Sequence, residues 1–301
     1  MGELQAPRVR FAPGFLRRVE RFVPELAAAR ERREGAGGNR LDGAGLEFVG
    51  RRPYRAGDDP RRIDWELLAR DDRPWVRVLH REAAERWALV LDVSGSMGVG
   101  PPGKLQSAAE VALALAAVGV RARAHVTLTF TAPITAPSAG GPQGAPESLT
   151  LRRPGDVARA LHVLEEVEAR PDAAGLAVLA TRPLVPADAT RVVVLGDTLD
   201  VTSADLLRLA RPGRELIVGR VLAPCEVEPL ALGARAVRFV DPEGRAAAEV
   251  ELEHGVVASY QRALEGALER LEGELARRRV RCHTWRSDAP FEAPTRALLV
   301  P

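Results

Sequence analysis

With 301 residues and 46% apolar content, the chain can form one large domain or two smaller ones around a real core, which excludes general disorder. A net charge of +2 gives no global field of the kind a nucleic-acid binder carries, and the sequence pI of 8.8 reflects arginine, since Lys104 is the only lysine. Cys225 and Cys282 form no C-x-x-C pair and no zinc spacing with the five histidines, so two inert thiols in a reducing compartment are expected. The opening MGELQAPRVRFAP lacks the apolar centre of a signal peptide, and no apolar run is long enough to span a bilayer, so the expected location is the cytoplasm.

Residues 14–33 carry Phe15, Val19, Phe22, Val23 and Leu26 on one side and arginines on the other, the period of an amphipathic helix. Pro24 predicts a kink or break, and Gly35, Gly37 and Gly38 end the helix. Residues 44–86 differ: short apolar runs are broken by Arg-Arg-Pro, Gly-Asp-Asp-Pro and Asp-Asp-Arg-Pro, which predicts strands near 46–50 and 74–81 and a turn at 57–60. From residue 87 strand and helix alternate. Strands are expected at 88–91, 125–131, 191–195, 216–222 and 280–285, and helices at 104–121, 155–169, 172–181, 203–210 and 255–278. Residues 132–146, rich in Pro, Gly, Ala and Ser, read as a loop. The alternation implies an α/β fold, a mostly parallel doubly wound sheet covered on both faces in three layers. Residues 236–252, around Asp241-Pro242-Glu243-Gly244, break the rhythm and read as a β-hairpin outside that sheet, expected to pack with the 46–81 segment. The organisation is then a helical segment over 1–39, a small β-rich element over 40–86 and the α/β domain over 87–301.

The turn after the first strand of the α/β region supports two chemistries. Gly98 to Lys104 fits G-x-x-x-x-G-K, most of a phosphate-binding loop, and Val192 to Asp197 resembles the apolar strand and Asp that hold magnesium in such enzymes. Against a nucleotide stand Pro101 and Pro102, which lack the N–H groups that should face phosphate, and Leu105 where a hydroxyl for magnesium is needed. The D-x-S-x-S stretch just before it places Asp92, Ser94 and Ser96 on one turn at the C-terminal end of a strand, with Gly95 and Gly98 allowing a tight path. Asp197 ends the strand expected beside it. Oxygen donors with few charges suit magnesium, which keeps several waters, and the crevice outside the carboxyl ends of such strands is where α/β sheets bind ligands. The plain alternative is a serine-rich turn that caps a helix.

Residues 87–222 resemble a von Willebrand factor A-like domain, whose metal-ion-dependent adhesion site begins with D-x-S-x-S. The stretch EFVGRRPYRAGDDPRRIDWELLARDDRPWVRV, followed by LVLDVSGSM, resembles the bacterial domain-of-unknown-function family number fifty-eight. Glu47, Phe48, Gly50, Arg52, Tyr54, Gly57, Asp58, Arg61, Asp64, Trp65 and Arg77 carry that likeness, and FVDPEG, Tyr260 and SDAPFEAPTRALL extend it from about residue 40 to the end. Members of the family commonly accompany MoxR-type AAA+ ATPases, which implies a chaperone-like or assembly role. Adhesion sites of this type also take a Thr from a second loop. The matching segment here is Pro171 to Leu176, with Ala174 at the Thr position and Asp172 or Thr198 as the available replacements. The expected metal ligands are Asp92, Ser94, Ser96 and Asp197, with magnesium bound weakly or only together with a partner.

The cluster of Arg52, Arg55, Asp58, Asp59, Arg61, Arg62 and Asp64 reads as mutual ion pairs that pin the β-rich element to the main sheet. Trp65 and Trp75 read as packing anchors and Cys282 as a small buried residue. The histidines are dispersed, and no Ser has a defensible His and Asp order. The expectation is a non-enzymatic protein-interaction module acting with a MoxR-type AAA+ ATPase, without nucleic acid and without an integral membrane segment. The alternative is an Mg-dependent hydrolase using the same Asp/Ser loop; an NTPase built on the phosphate-loop match is the third reading.

Overall fold

The computed structural model describes residues 8–34, 46–81, 85–134, 148–229, 236–242 and 247–300. The chain divides into two compact units, Glu31–Ala84 and the combination of Met1–Arg30 with Glu85–Pro301. The first helix, α1 (Phe15–Glu34), buries Phe15, Val19, Phe22, Val23 and Leu26 along one face, as its periodicity dictates. It runs through Pro24 without the expected break. Pro24 and Glu20 lie on the exposed face, so the carbonyl that loses its hydrogen bond is open to water.

The smaller unit holds β1 (Leu46–Pro53), α2 (Trp65–Asp71) and β2 (Trp75–Arg81), with β1 and β2 paired antiparallel and a register shift between Phe48 and Gly50. Helix α2 stands where only broken apolar runs were expected. Its signal is local: Asp64 caps the helix by accepting the Leu67 N–H at 3.2 Å, and Asp72 ends it in the left-handed conformation. Asp64 is fully buried and pairs with Arg51 at 2.7 Å and Arg77 at 3.3 Å, while Arg52 grips Asp58 with both guanidinium nitrogens. The Arg/Asp cluster is thus paired within itself at these positions. Trp65 is not a packing anchor, being 61% exposed.

The larger unit is built on a six-stranded sheet of β3 (Arg86–Leu91), β4 (His125–Phe130), β5 (Ser148–Leu151), β6 (Arg191–Gly196), β7 (Glu215–Leu222) and β10 (Arg281–Arg286). The order is β10-β7-β6-β3-β4-β5, parallel throughout except for the antiparallel edge strand β5. The other elements are α3 (Lys104–Arg121), α4 (Pro154–Glu165), α5 (Ser203–Leu207), α6 (Pro224–Val227), α7 (His254–Arg277) and α8 (Glu292–Leu299), with the hairpin β8 (Ala236–Val240) and β9 (Ala247–Glu251). Strand residues alternate between two cores, as a doubly covered sheet requires. Trp87, Leu89, Leu91, Val193, Leu195, Ile217 and Val221 face one, with α1, α3, α4 and α8. Ala88, Val90, Val192, Val194, Leu216 and Val218 face the other, with α5 and the end of α7. Helix α3 lies close on the sheet because Gly119 has no side chain: a Cβ there would stand 2.6 Å from Val126 Cγ2 and 2.9 Å from Trp87 Cε3.

This topology positions the site. From β3 the chain proceeds to β4 and β5 on one side, then returns to lay β6, β7 and β10 on the other. The strand order reverses between β3 and β6, and their C-terminal ends are level, with Leu91 opposite both Phe130 and Leu195. A crevice at such a reversal is the ordinary ligand position of an open α/β sheet. Several local expectations are corrected. Residues 172–181 form no α-helix but a single 3-10 segment, Gly175–Ala180, because the left-handed Gly175, at φ +56, interrupts a helical run there. The four-residue β5 and the helix α8 have no counterpart in the sequence reading. The hairpin lies outside the main sheet as a separate two-stranded ladder, and its turn residues 243–246 fall outside the described residues, as does most of the 132–146 loop. Among the described residues, no helix is long and apolar enough to cross a membrane.

Candidate functional site

Asp92 follows β3 directly and is 2% exposed. Its Oδ1 accepts the Ser94 N–H at 3.0 Å and the Thr131 hydroxyl at 3.2 Å, while Thr131 in turn accepts the Val93 N–H at 3.0 Å. Thr131 lies just beyond the end of β4, so the neighbouring strand fixes the rotamer of the site's carboxylate. The loop is held on its other side by Arg170, whose N–H donates to the Val93 carbonyl at 2.7 Å. The Ser94 and Ser96 hydroxyl oxygens are 3.1 Å apart. Asp197, just past β6, lines the same cleft of about 490 Å³, together with Asp172, Ala174, Gly175, Thr198 and Asp200. All four residues singled out from the sequence therefore meet in one crevice at the C-terminal edge of the sheet.

Two glycines make the approach possible. A Cβ on Gly196 would stand 2.9 Å from the Asp92 Cβ, and one on Gly175 would lie 3.3 Å from Ser94 Oγ and 3.6 Å from Asp92 Oδ1. The second case is informative, because the Pro171–Ala177 wall comes directly over the oxygen atoms without filling the space above them. Gly95 is equally crowded: a Cβ there would be 2.8 Å from the Pro242 carbonyl oxygen and 3.0 Å from Pro171 Cα. Pro242, two residues past β8, thus abuts the D-x-S-x-S loop.

Burial and the nearby Asp197 carboxylate push the Asp92 carboxyl up to about 6, against the opposing effect of the Ser94 and Thr131 donors. Asp197 has a cation of its own. Lys104, the first residue of α3, is fully buried and donates to Asp197 Oδ2 at 2.9 Å and to Glu226 Oε1 at 2.5 Å. The lysine of the phosphate-loop match thus points into the protein at carboxylates, which argues against a phosphate-binding role. Lys104, Glu226 and Thr131 were not recognised in the sequence as parts of the site. The one available signal was that Lys104 is the only lysine in an arginine-rich chain.

Ala174 lies on the cleft wall, where the second-loop Thr was expected. Both proposed replacements are already engaged by arginines. Asp172 is gripped by Arg170 through both carboxylate oxygens, and the Thr198 hydroxyl accepts the Arg220 Nε–H at 2.8 Å. Among the described residues there is no group of three or more His, Cys, Asp or Glu placed to hold a metal ion. A donor set of two carboxylates and two hydroxyls is of a different kind, and its hard oxygens fit magnesium with retained waters.

The fold and crevice define an α/β protein with an oxygen-rich site at its topological switch point. The family described as "Protein of unknown function DUF58" matches residues 50–270, and the chain belongs to that family. It is similar to two uncharacterised mycobacterial proteins, Rv1480 of Mycobacterium tuberculosis and Mb1516 of Mycobacterium bovis, each 38% identical over 114 residues. Each match covers 33% of this chain and 35% of the relative, so the chain spans about a third of the length of these relatives.

Proposed function

We propose that this chain is a non-enzymatic protein-interaction module of the von Willebrand factor A-like type, with a metal-ion-dependent adhesion site that is one donor short. The observation that carries the reading is the convergence of Asp92, Ser94, Ser96 and Asp197 in one open cleft at the switch point between β3 and β6. Magnesium would be held by the Asp92 carboxylate and the two serine hydroxyls, with Asp197 beside them. When bound it would supply a positive centre that a partner carboxylate completes. Ala174 offers no hydroxyl, so the isolated protein binds magnesium weakly and the partner strengthens it, a coupling that works equally in both directions.

The partner class follows from the family resemblance: a MoxR-type AAA+ ATPase, with the pair acting in protein assembly or maturation in the cytoplasm. For the hydrolase reading, Asp92, with its raised carboxyl beside the Ser94 hydroxyl, is the base that the cleft offers. The test is co-purification from the native host with magnesium and with a chelator. Magnesium-dependent capture of an AAA+ ATPase, lost in Asp92→Ala, is the expected result. Capture that is indifferent to magnesium and to Asp92 overturns the reading, and metal-dependent phosphatase turnover that vanishes in Asp92→Ala replaces it with the hydrolase.

A further inference from the structure

Every basic side chain of this protein except one is an arginine, apart from the histidines, and the exception is buried at the cleft. Lys104 occupies a space where arginine would serve poorly. Its ammonium is a compact point charge with three donors, and it sits between single oxygens of two different carboxylates. The planar guanidinium fork suits two oxygens of one carboxylate instead, as Arg52 does with Asp58. Burial favours loss of the lysine's proton, but Asp197 and Glu226 outweigh it and hold the ammonium charged.

This arrangement engages both oxygens of Asp197. Oδ2 accepts from Lys104, and Oδ1 accepts the Leu199 N–H at 3.3 Å. Each oxygen keeps a second lone pair, so Asp197 can still face a cation, but the ammonium takes up part of the charge it would offer. Glu226 is fixed as well, because its Oε2 accepts the Ala223 N–H at 2.7 Å. Lys104 therefore remains a standing positive charge behind Asp197, partly neutralised by Glu226.

We propose that Lys104 sets the affinity of this cleft for a divalent cation: it holds Asp197 as its own charge partner instead of leaving that charge to the cation, and Glu226 controls how much of the ammonium's charge the cation experiences. The inference rests on the metal-site reading above and deepens it. Lys104 is a positioning residue that acts through Asp197. It would weaken magnesium binding whatever Ala174 contributes. It also makes opposite demands on its two partners, which a purely structural lysine does not.

The test is titration of the full chain with manganese and with magnesium, followed by calorimetry and, for manganese, by paramagnetic resonance. Glu226→Gln leaves more of the ammonium charge uncompensated and should weaken binding by at least about threefold. Lys104→Met should tighten it by at least about tenfold. Because Lys104→Met leaves two buried carboxylates unpaired, the double variant Lys104→Met/Glu226→Gln, which removes one of them, carries the same expectation if the single variant does not fold. Near-ultraviolet circular dichroism establishes that each variant is native. If the wild type binds and the folded double variant binds no more tightly, or if Glu226→Gln binds more tightly, the role of Lys104 is refuted while the metal reading stands. If neither the wild type nor the folded double variant binds either ion, both readings fail.

Discussion

Asp92→Asn should make the metal-free protein more stable at neutral pH, although it removes the residue on which the site is centred. The Asp92 carboxyl rises from an ordinary 3.8 to about 6 because it is buried and faces Asp197. A group whose folded value is raised binds its proton more tightly in the folded state. For a carboxyl, that means stability is lost as pH climbs from about 4 through about 6. At about 1.4 kcal/mol per tenfold change in proton affinity, the ionised Asp92 costs the fold about 3 kcal/mol above pH 7. Asparagine keeps an Oδ1 acceptor for the Ser94 N–H and the Thr131 hydroxyl and carries no charge. The gain should shrink to about 1 kcal/mol at pH 4.5, where the folded wild type has taken up the proton. Urea unfolding at pH 7.5 and 4.5 reads this directly, followed by fluorescence with the buried Trp87 and Trp285 as reporters of this unit. Magnesium should stabilise the wild type and leave the variant unmoved. A variant no more stable than the wild type at pH 7.5, or a gain that is the same at both pH values, refutes the reasoning. Such a penalty at neutral pH is what a site kept for binding, at the expense of stability, should show.

Ala174→Thr should tighten magnesium binding measured by calorimetry, since it restores a hydroxyl at the cleft wall; unchanged affinity would remove Ala174 from the site. Gly95→Ala should destabilise the protein by roughly 1–3 kcal/mol, because the added carbon meets backbone atoms of Pro242 and Pro171 that cannot rotate away. Hydrogen exchange in β8 and β9 should accelerate in that variant, and unchanged exchange would mean that the hairpin does not depend on the Pro242 contact. In the smaller unit, Arg52 holds the Asp58 carboxyl at about 2, and Arg51 and Arg77 hold that of Asp64 at about 2. Depressed carboxyls contribute stability that is present above about pH 4 and lost as pH falls toward 2, so Asp64→Asn should be less stable at pH 7 and show a flatter acid limb. An acid limb identical to that of the wild type would show that these pairs do not govern acid unfolding.

Much of the α/β frame is legible in the chain because its signals are local. Continuous apolar runs bounded by turns place β3, β6 and β7, and the Ala/Leu/Val helix α3 spans the expected Lys104–Arg121. Asp92, Ser94 and Ser96 are three alternate residues of one turn, so their grouping needs no tertiary information. Short elements are different. The four residues of β5 become a strand through pairing with β4, and α2 through a buried Asp64 that two arginines hold in place. Trp65 reads as a packing anchor from residue type, yet nothing in its local sequence says which way a helix of about two turns will face.

Periodicity and turn chemistry, which act over a few residues, are enough to set the layer architecture, the loop that bears the oxygens and the strand end that supplies Asp197. What those oxygens face depends on long-range packing. Lys104 reaches Asp197 across 93 positions of sequence and Glu226 across 122, Thr131 fixes Asp92 from 39 residues away, and Asp172 and Thr198 are claimed by Arg170 and Arg220. Charge pairing in a buried crevice depends on distances of a few ångströms between strand ends, and the register of parallel strands sets those distances only once the whole sheet has formed.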